Sequence, residues 1–425
     1  MPSSTKSFFT VANDLGYGSL KFAMDNQDGK MTQNHVPSTI AIQQAQDLTK
    51  PAHFDSRKQE DDYINTLIDR LDVSIASPSV KTPGRFLIGN RAIKSGLPWR
   101  ESFDVNDFTG KSESDLSLIL TLSVIAGRVL QANYQSGQPL PTNLSADILM
   151  ATALPIAEGQ QTDVTEHYAE RYTDKRHVVT IHNFEEPITI NLHFINVYVA
   201  LEGEAAQFSI VNAAKTNPKM GESIFGFFKE HYPKMAAQLD LTQLLHTPNV
   251  LGIDIGEGTT DFPVINQGRA NPTVSMSLPT GYGNVLQRAI NELQSHHMNF
   301  QTRAEIQAFL DTPVSPLPSA QQYHQRVEEI VRRQFAPLVQ SIVEATSKTM
   351  RQAGANIDVL YIYGGGSIPL AKYSNLYDTL VEKTKGFTGG IEIPIIIIPA
   401  NYAQLMNLDG LILIAQSLRL RTKSN

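Results

Sequence analysis

The chain has 425 residues, too many for one ordinary hydrophobic core, so two domains are expected. A composition of 41% hydrophobic and 18% charged residues is that of a soluble globular protein, and the lack of cysteine excludes disulfides, thiolate metal sites and cysteine nucleophiles while suiting a reducing cytosol. A net charge of -7 argues against tight binding to naked nucleic acid, which needs many Lys and Arg contacts to phosphate, so a DNA partner would come through an adaptor.

No stretch reaches the roughly 18 consecutive apolar residues of a membrane span. The polar start MPSSTKS has no apolar signal core behind it, so a cytoplasmic location is expected. The first strand is predicted at Phe8 to Ala12, an apolar run leading to Asp14 and two glycines. A second follows at Ser19 to Met24, with turn chemistry in DNQDG at residues 25 to 29. Residues 40 to 85 are polar and mixed, punctuated by Pro51, Pro78, Pro83 and Gly84, and read as an elaboration outside the core. Trp99 in LPWRESF reads as a packed aromatic.

The run Asp115 to Asn133 has apolar residues at helical spacing behind a serine-rich capping region. A strand at Asp147 to Ala153 ends at Pro155, and two strand-like runs lie between Thr180 and Val199. Ala205 to Ala214 reads as a helix leading out of the first lobe. Residues 214 to 248 are largely helical in pattern, and Asn249 to Ile255 is a buried-strand run. Helical stretches follow at Asn284 to Gln294 and Gln321 to Gln352, separated by TPVSPLPS. The adjacent His296 and His297 point apart on a helix and make a poor metal pair. Asp358 to Tyr363 and IEIPIIIIPA read as strands, and Leu408 to Leu420 as a closing helix. Strands alternating with helices predict an α/β protein.

A short internal repeat is the most informative feature. DLGYGS, starting at Asp14, is echoed by DIGEGT, starting at Asp254, and each is followed by a strand and then by NQDG or NQG. A nucleoside triphosphate needs such turns, because glycine lets backbone N–H groups approach phosphate oxygens. The hydroxyls of Ser19, Thr259 and Thr260 would add donors. Asp14 and Asp254 are hard oxygen ligands suited to Mg2+, held through water. Taken singly, each copy also fits a plain hairpin turn with its aspartate capping local backbone, and Lys21 fits either a solvated strand residue or a charge facing the phosphates.

Three segments carry a resemblance to the actin, Hsp70 and sugar-kinase superfamily, and within it to the plasmid-segregation (ParM/StbA-type) actin-like ATPases. NDLGYGSLKF, residues 13 to 22, resembles the first phosphate motif; LGIDIGEGTTDFPVI, residues 251 to 265, the second; and VLYIYGGGSIPL, residues 359 to 370, the adenosine motif. The resemblance implies two RNase H-like lobes with a nucleotide cleft between them. Lobe I would span 1–212 with 402–425 returning to it, and lobe II would span 213–401 with a helical insertion at about 214–248.

The same resemblance assigns nucleotide contacts to Gly16, Tyr17, Gly18, Ser19 and Lys21, and to Gly256, Glu257, Gly258, Thr259 and Thr260. It adds Gly281 at a nucleoside-contacting helix and Gly364, Gly365, Gly366 and Ser367, for which a plain strand-to-helix turn is the other reading. Glu202 matches the residue that orients the hydrolytic water, alongside Asp14 and Asp254; a solvated helix-start glutamate is its other reading. Asn407 and Gly410 match an Asn-x-x-Gly pattern in the second connection. The implied activity is an ATPase, with GTP as the alternative nucleotide, that polymerises with itself and reaches a centromere-like DNA site through an adaptor. A sugar- or acetate-type kinase and a cell-shape or phage filament protein are the alternatives. Too few residues follow the glycine triplet for an Hsp70 peptide-binding domain. The apolar and basic C-terminal run suits packing on the first lobe better than a membrane tether.

Overall fold

The computed structural model describes residues 7–25, 30–104, 110–173, 175–354 and 356–424, so most of the turn expected at 25–29 lies outside the described residues. The chain forms two units, one of Met1–Leu154, Glu158–Leu201 and Asn407–Asn425, the other of Pro155–Ala157 and Glu202–Met406. The first boundary falls at Leu201/Glu202 rather than after 212. The helix Glu204–Thr216 buries Ala206, Ile210 and Ala213 in the core of the second unit, which draws it there.

The strands of the first unit are β1 (Ser7–Leu15), β2 (Ser19–Asp25), β3 (Met31–Pro37), β4 (Thr39–Ile42), β5 (Asp72–Ala76), β6 (Gly84–Ile88), β7 (Arg100–Ser102), β8 (Asn143–Leu154), β9 (Arg176–Ile181) and β10 (Ile188–Leu201). They form one sheet in the order β3-β2-β1-β8-β10-β9-β5-β6-β4-β7. β1 runs parallel to β8, and β8 to β10; the β1–β2 and β2–β3 pairs are antiparallel. Parallel strands covered on both faces read as continuous apolar runs, which is why β1 and β8 were legible.

Residues 40–85, expected to lie outside the core, contribute to it. Ile40, Ile64, Leu67, Leu71 and Val73 are buried, and β5 joins the sheet through β9. Their apolar residues are spread over a short strand, a nine-residue helix and a 3-10 turn, too briefly for any one period to show. The helix Asp115–Gln135 is long and apolar enough by length and composition to cross a membrane, but 94% of its most apolar window is buried inside the protein. Its apolarity is that of a core helix wrapped on all sides. Trp99, expected to be packed, is 61% exposed.

The second unit holds β11 (Val250–Ile255), β12 (Thr260–Phe262), β13 (Val264–Asn266), β14 (Arg269–Ala270), β15 (Met276–Leu278), β16 (Val359–Tyr363) and β17 (Ile395–Ile397). β11 pairs antiparallel with β12, and β12 with β15; on its other side β11 runs parallel to β16, and β16 to β17. β13 continues the line of β12 past Pro263, whose missing N–H interrupts the ladder. Antiparallel, antiparallel, parallel, parallel is also the sequence of pairings across β3-β2-β1-β8-β10.

Alternation along these strands divides their side chains between two faces. Leu251, Ile253, Ile255, Leu360 and Ile362 pack under the helices Tyr282–Ser295 and Phe335–Gln352. Val250, Val359, Tyr361 and Tyr363 pack with Met220, Ile224, Phe228 and Leu244. Residues 214–248, expected as an insertion, therefore supply the layer that covers the second face of the sheet. The expected helix Gln321 to Gln352 is two, Pro318–Arg333 and Phe335–Gln352. Pro337 has no N–H to extend the first helix and is tolerated in the first turn of the next.

Candidate functional site

In the first unit the register sets Asp14 opposite Lys21 and Leu15 opposite Leu20, and the Gly16 N–H donates to Ser19 O at 2.9 Å to close the turn. Ser38 ties both turn carbonyls, its hydroxyl donating to Gly16 O at 2.8 Å and its N–H to Gly18 O at 3.1 Å. Lys21 Nζ donates to Asp14 Oδ2 at 3.0 Å, so the buried carboxylate already holds a cation. His35 faces Lys21 across β2–β3, and its Nε2 lies 2.6 Å from Ser19 Oγ. Burial first, then the Lys21 charge, holds this imidazole below its ordinary range. Tyr17 packs edge-on against Phe103, and the buried Lys111 ammonium lies 4.9 Å from the centre of its ring. The backbone N–H groups of Lys111 and Ser112 both donate to the Glu158 carboxylate.

The second unit repeats the hairpin. Asp254 lies opposite Asp261, Ile255 opposite Thr260, and the Gly256 N–H donates to Thr259 O at 2.9 Å. The position of Lys21 is thus taken by Asp261. Asp261 accepts from Thr259 Oγ1 at 2.9 Å, from the Ile156 N–H at 3.1 Å and from Ser277 Oγ. Thr260 Oγ1 donates to Thr280 O at 2.8 Å. The hydroxyls of Ser19, Thr259 and Thr260, expected as ligand donors, are thus all engaged in bonds that hold the hairpins.

Two further segments lock onto the second hairpin. The helix Tyr282–Ser295 begins against it, with the Tyr282 N–H donating to Gly256 O at 2.9 Å and the Gly283 N–H to Glu257 O at 2.8 Å. A Cβ at Gly281 would sit 2.6 Å from Gly256 O, so only glycine permits this approach. The turn after β16 closes from the other side. Gly364 has a φ of 87°, a Cβ there would collide with Asp254 and Ile255, and the Gly366 N–H donates to Ile255 O at 2.8 Å. Gly365 follows Gly364, and Ser367 Oγ donates back to Gly364 O at 2.7 Å. Asp254, Gly256, Glu257, Gly281, Gly364 and Gly366 thus form one interlocked group.

Glu202 is buried in the turn between β10 and the helix Glu204–Thr216, ahead of the helix rather than on it. Tyr363 Oη donates to the adjacent Gly203 O at 3.2 Å. Burial, then the charges of Asp254, Asp261 and Glu204, push the Tyr363 phenol well above its ordinary range. Among the described residues no three His, Asp or Glu side chains gather as a metal cage. Asp14 and Asp254 are nonetheless the hard, buried oxygen donors that magnesium takes one or two at a time while keeping its waters.

Sequence reasoning missed Arg303, whose guanidinium lies 3.2 Å from Glu257 at the hairpin tip, and also Lys111 and His35. The tripeptide Gly110-Lys111-Ser112 was the available signal for Lys111; Arg303 and His35 had none, because tertiary packing alone brings them in.

Residues 252–373 match the family model described as the C-terminal part of the archaeal actin homologue MreB-like proteins. No curated protein matches. Among solved structures, the actin-like protein Alp7A superposes with a TM-score of 0.66 at 14% identity, covering 99% of this chain and 98% of its own. ParM of Bacillus thuringiensis with ATP gives 0.57 at 15% identity, covering 98% and 100%. The archaeal actin homolog Ta0583 gives 0.56 at 15%, covering 97% and 99%. The chain has the two-lobe actin-like fold.

Proposed function

We propose that this chain is an ATPase that binds ATP with magnesium and assembles into filaments, hydrolysis driving their disassembly, and that it serves plasmid DNA segregation through a DNA-bound adaptor. The repeated hairpin carries the reading: two turns share one hydrogen bond and one aspartate register, each at the end of the central strand of the same five-strand motif. Similar proteins solved with ATP, AMPPNP and ADP support the nucleotide class.

In this reading the turn amides at 17–18 and 257–258 meet phosphate oxygens, since those of Gly16 and Gly256 are spent closing the turns. Asp14 and Asp254 hold magnesium through water. A magnesium ion held there would supply positive charge to offset the phosphate oxygens beside two buried carboxylates. Lys21, now on Asp14, turns to the phosphates, and Glu202 orients the attacking water. Gly281 and the turn Gly364 to Ser367 face the nucleoside.

Sedimentation with phosphate release, comparing ATP, GTP and ADP in magnesium buffer, tests this. ATP should pellet the chain and be hydrolysed. Glu202→Ala should bind and pellet with ATP but release phosphate about 100-fold more slowly. A soluble monomer whose turnover rises on adding a sugar would make the protein a small-molecule kinase instead.

A further inference from the structure

We propose that Trp99 and Arg100 form a knob that docks into an aromatic, acid-rimmed groove on a second copy of this chain. The inference rests on the self-assembly proposed above and names the contact that would build it.

Trp99 is the chain's one tryptophan, and 61% of it lies in solvent, presenting an apolar body with an N–H donor, the amphipathic kind of side chain enriched at interfaces. Pro98 and Arg100 beside it are exposed as well. Its backbone is nonetheless fixed, because Trp99 O accepts from the Ile42 N–H at 3.0 Å and β7 pairs with β4 from the next residue on. A side chain presented from rigid backbone loses little freedom on docking.

The groove lies elsewhere on the same unit. It encloses a cavity of about 280 Å³ lined by His53, Phe54, Pro141, Phe184, Glu185 and Glu186, among others. Phe54 and Phe184 belong to a ring cluster with Tyr63, at centroid distances of 5.2 to 6.3 Å. That floor suits an indole, and the carboxylates of Glu185 and Glu186 are the complement of Arg100. His53 already lies against Glu185, its Nδ1 2.7 Å from Oε1, and this contact pushes the imidazole up from its ordinary range, as an acidic rim should. Tryptophan and arginine are the side chains that most often carry an interface.

The knob cannot fill its own groove. Phe184 to Glu186 lie on the loop leaving β9, and β5, β6 and β4 stand between β9 and β7 in the sheet, a separation of roughly 19 Å at ~4.8 Å per strand. Knob and groove are different patches, so two copies joined by one knob in one groove make a heterologous contact. Each added copy leaves one free knob and one free groove, the condition for open-ended growth.

The native chain has no cysteine, which permits a direct test. Arg100→Cys chains mixed with Glu185→Cys chains under mild oxidation should form disulfide-linked dimers, and replacing the second partner with exposed Gln340→Cys should not. Adding Trp99→Ala to the first partner should cut the yield about tenfold. Emission from the single tryptophan should shift to the blue as native chains assemble. Equal yields from the Glu185→Cys and Gln340→Cys partners, or tryptophan emission that stays solvent-like in pelleted protein, would overturn the docking. Phosphate release by the dilute native chain is measured separately. Cross-linking without hydrolysis supports the docking and sinks the ATPase reading, whereas hydrolysis without cross-linking sinks the docking alone.

Discussion

Asp14, Lys21 and His35 form a row across three neighbouring strands, and the middle member acts on both sides: it pairs with the carboxylate, and its charge adds to burial in holding the imidazole below its ordinary range. Among the described residues Asp409 has no such partner. It sits in the first turn of the helix Met406–Ser424, where the helix dipole favours a carboxylate, yet burial pushes its acid up to about 6. A carboxyl raised above its ordinary value contributes stability that is complete below about pH 4 and lost as pH rises through 6. Asp409→Asn removes that loss. Urea unfolding should find the variant equal to the native chain near pH 4 and more stable at pH 8 by about 1–2 kcal/mol, below the ceiling of about 3 because solvent still reaches this side chain. Equal stability at pH 8 would show that Asp409 is not held in a desolvated site.

At the level of elements, legibility followed the reach of each signal along the chain. The Asp-Gly-x-Gly turns and the strands leading into them are local, so the sequence showed Asp14, Asp254 and the glycines between them. The layer built by residues 214–248 and the core residues within 40–85 were read as additions, because their apolar positions are satisfied by residues far along the chain; Met220 and Ile224, for example, share a core cluster with Val359 and Tyr361. Helices Ser367–Tyr373 and Leu376–Phe387 escaped notice for the same reason. Glycines sort by the same criterion. Gly364 is required by its left-handed φ and by the hairpin pressed against it, whereas Gly386 lies within the helix Leu376–Phe387 with nothing within 4 Å of a Cβ. Gly386→Ala should raise stability by about 0.5–1 kcal/mol, and Gly364→Ala should lower it by more than that. Thermal unfolding of the two variants would reveal a matching sign if the close packing around β11 were unimportant.

Across the whole molecule, both units carry the same five-strand motif, but only the first is completed by chain from the far end of the sequence. Leu408, Leu411 and Ala415 of the returning helix are buried, and Arg419 lies over the Phe8 ring, 5.5 Å from its centroid, while pairing with Asp25. Asp25 ends β2, so this ion pair grips the end of the β1–β2 ribbon remote from the turn that holds Asp14. The carboxylate is 3% exposed and also accepts the Thr10 N–H at 2.6 Å. Removing the guanidinium leaves a buried charge with one remaining donor, which costs about 3 kcal/mol, far more than an exposed pair would. Arg419→Ala should therefore lower the unfolding temperature markedly. Asp25→Asn in the same chain should restore part of the loss, because the amide oxygen still accepts from Thr10 and no unpaired charge is left behind. Two substitutions whose costs simply add would show that the helix is held by its apolar face alone, with Arg419 a bystander.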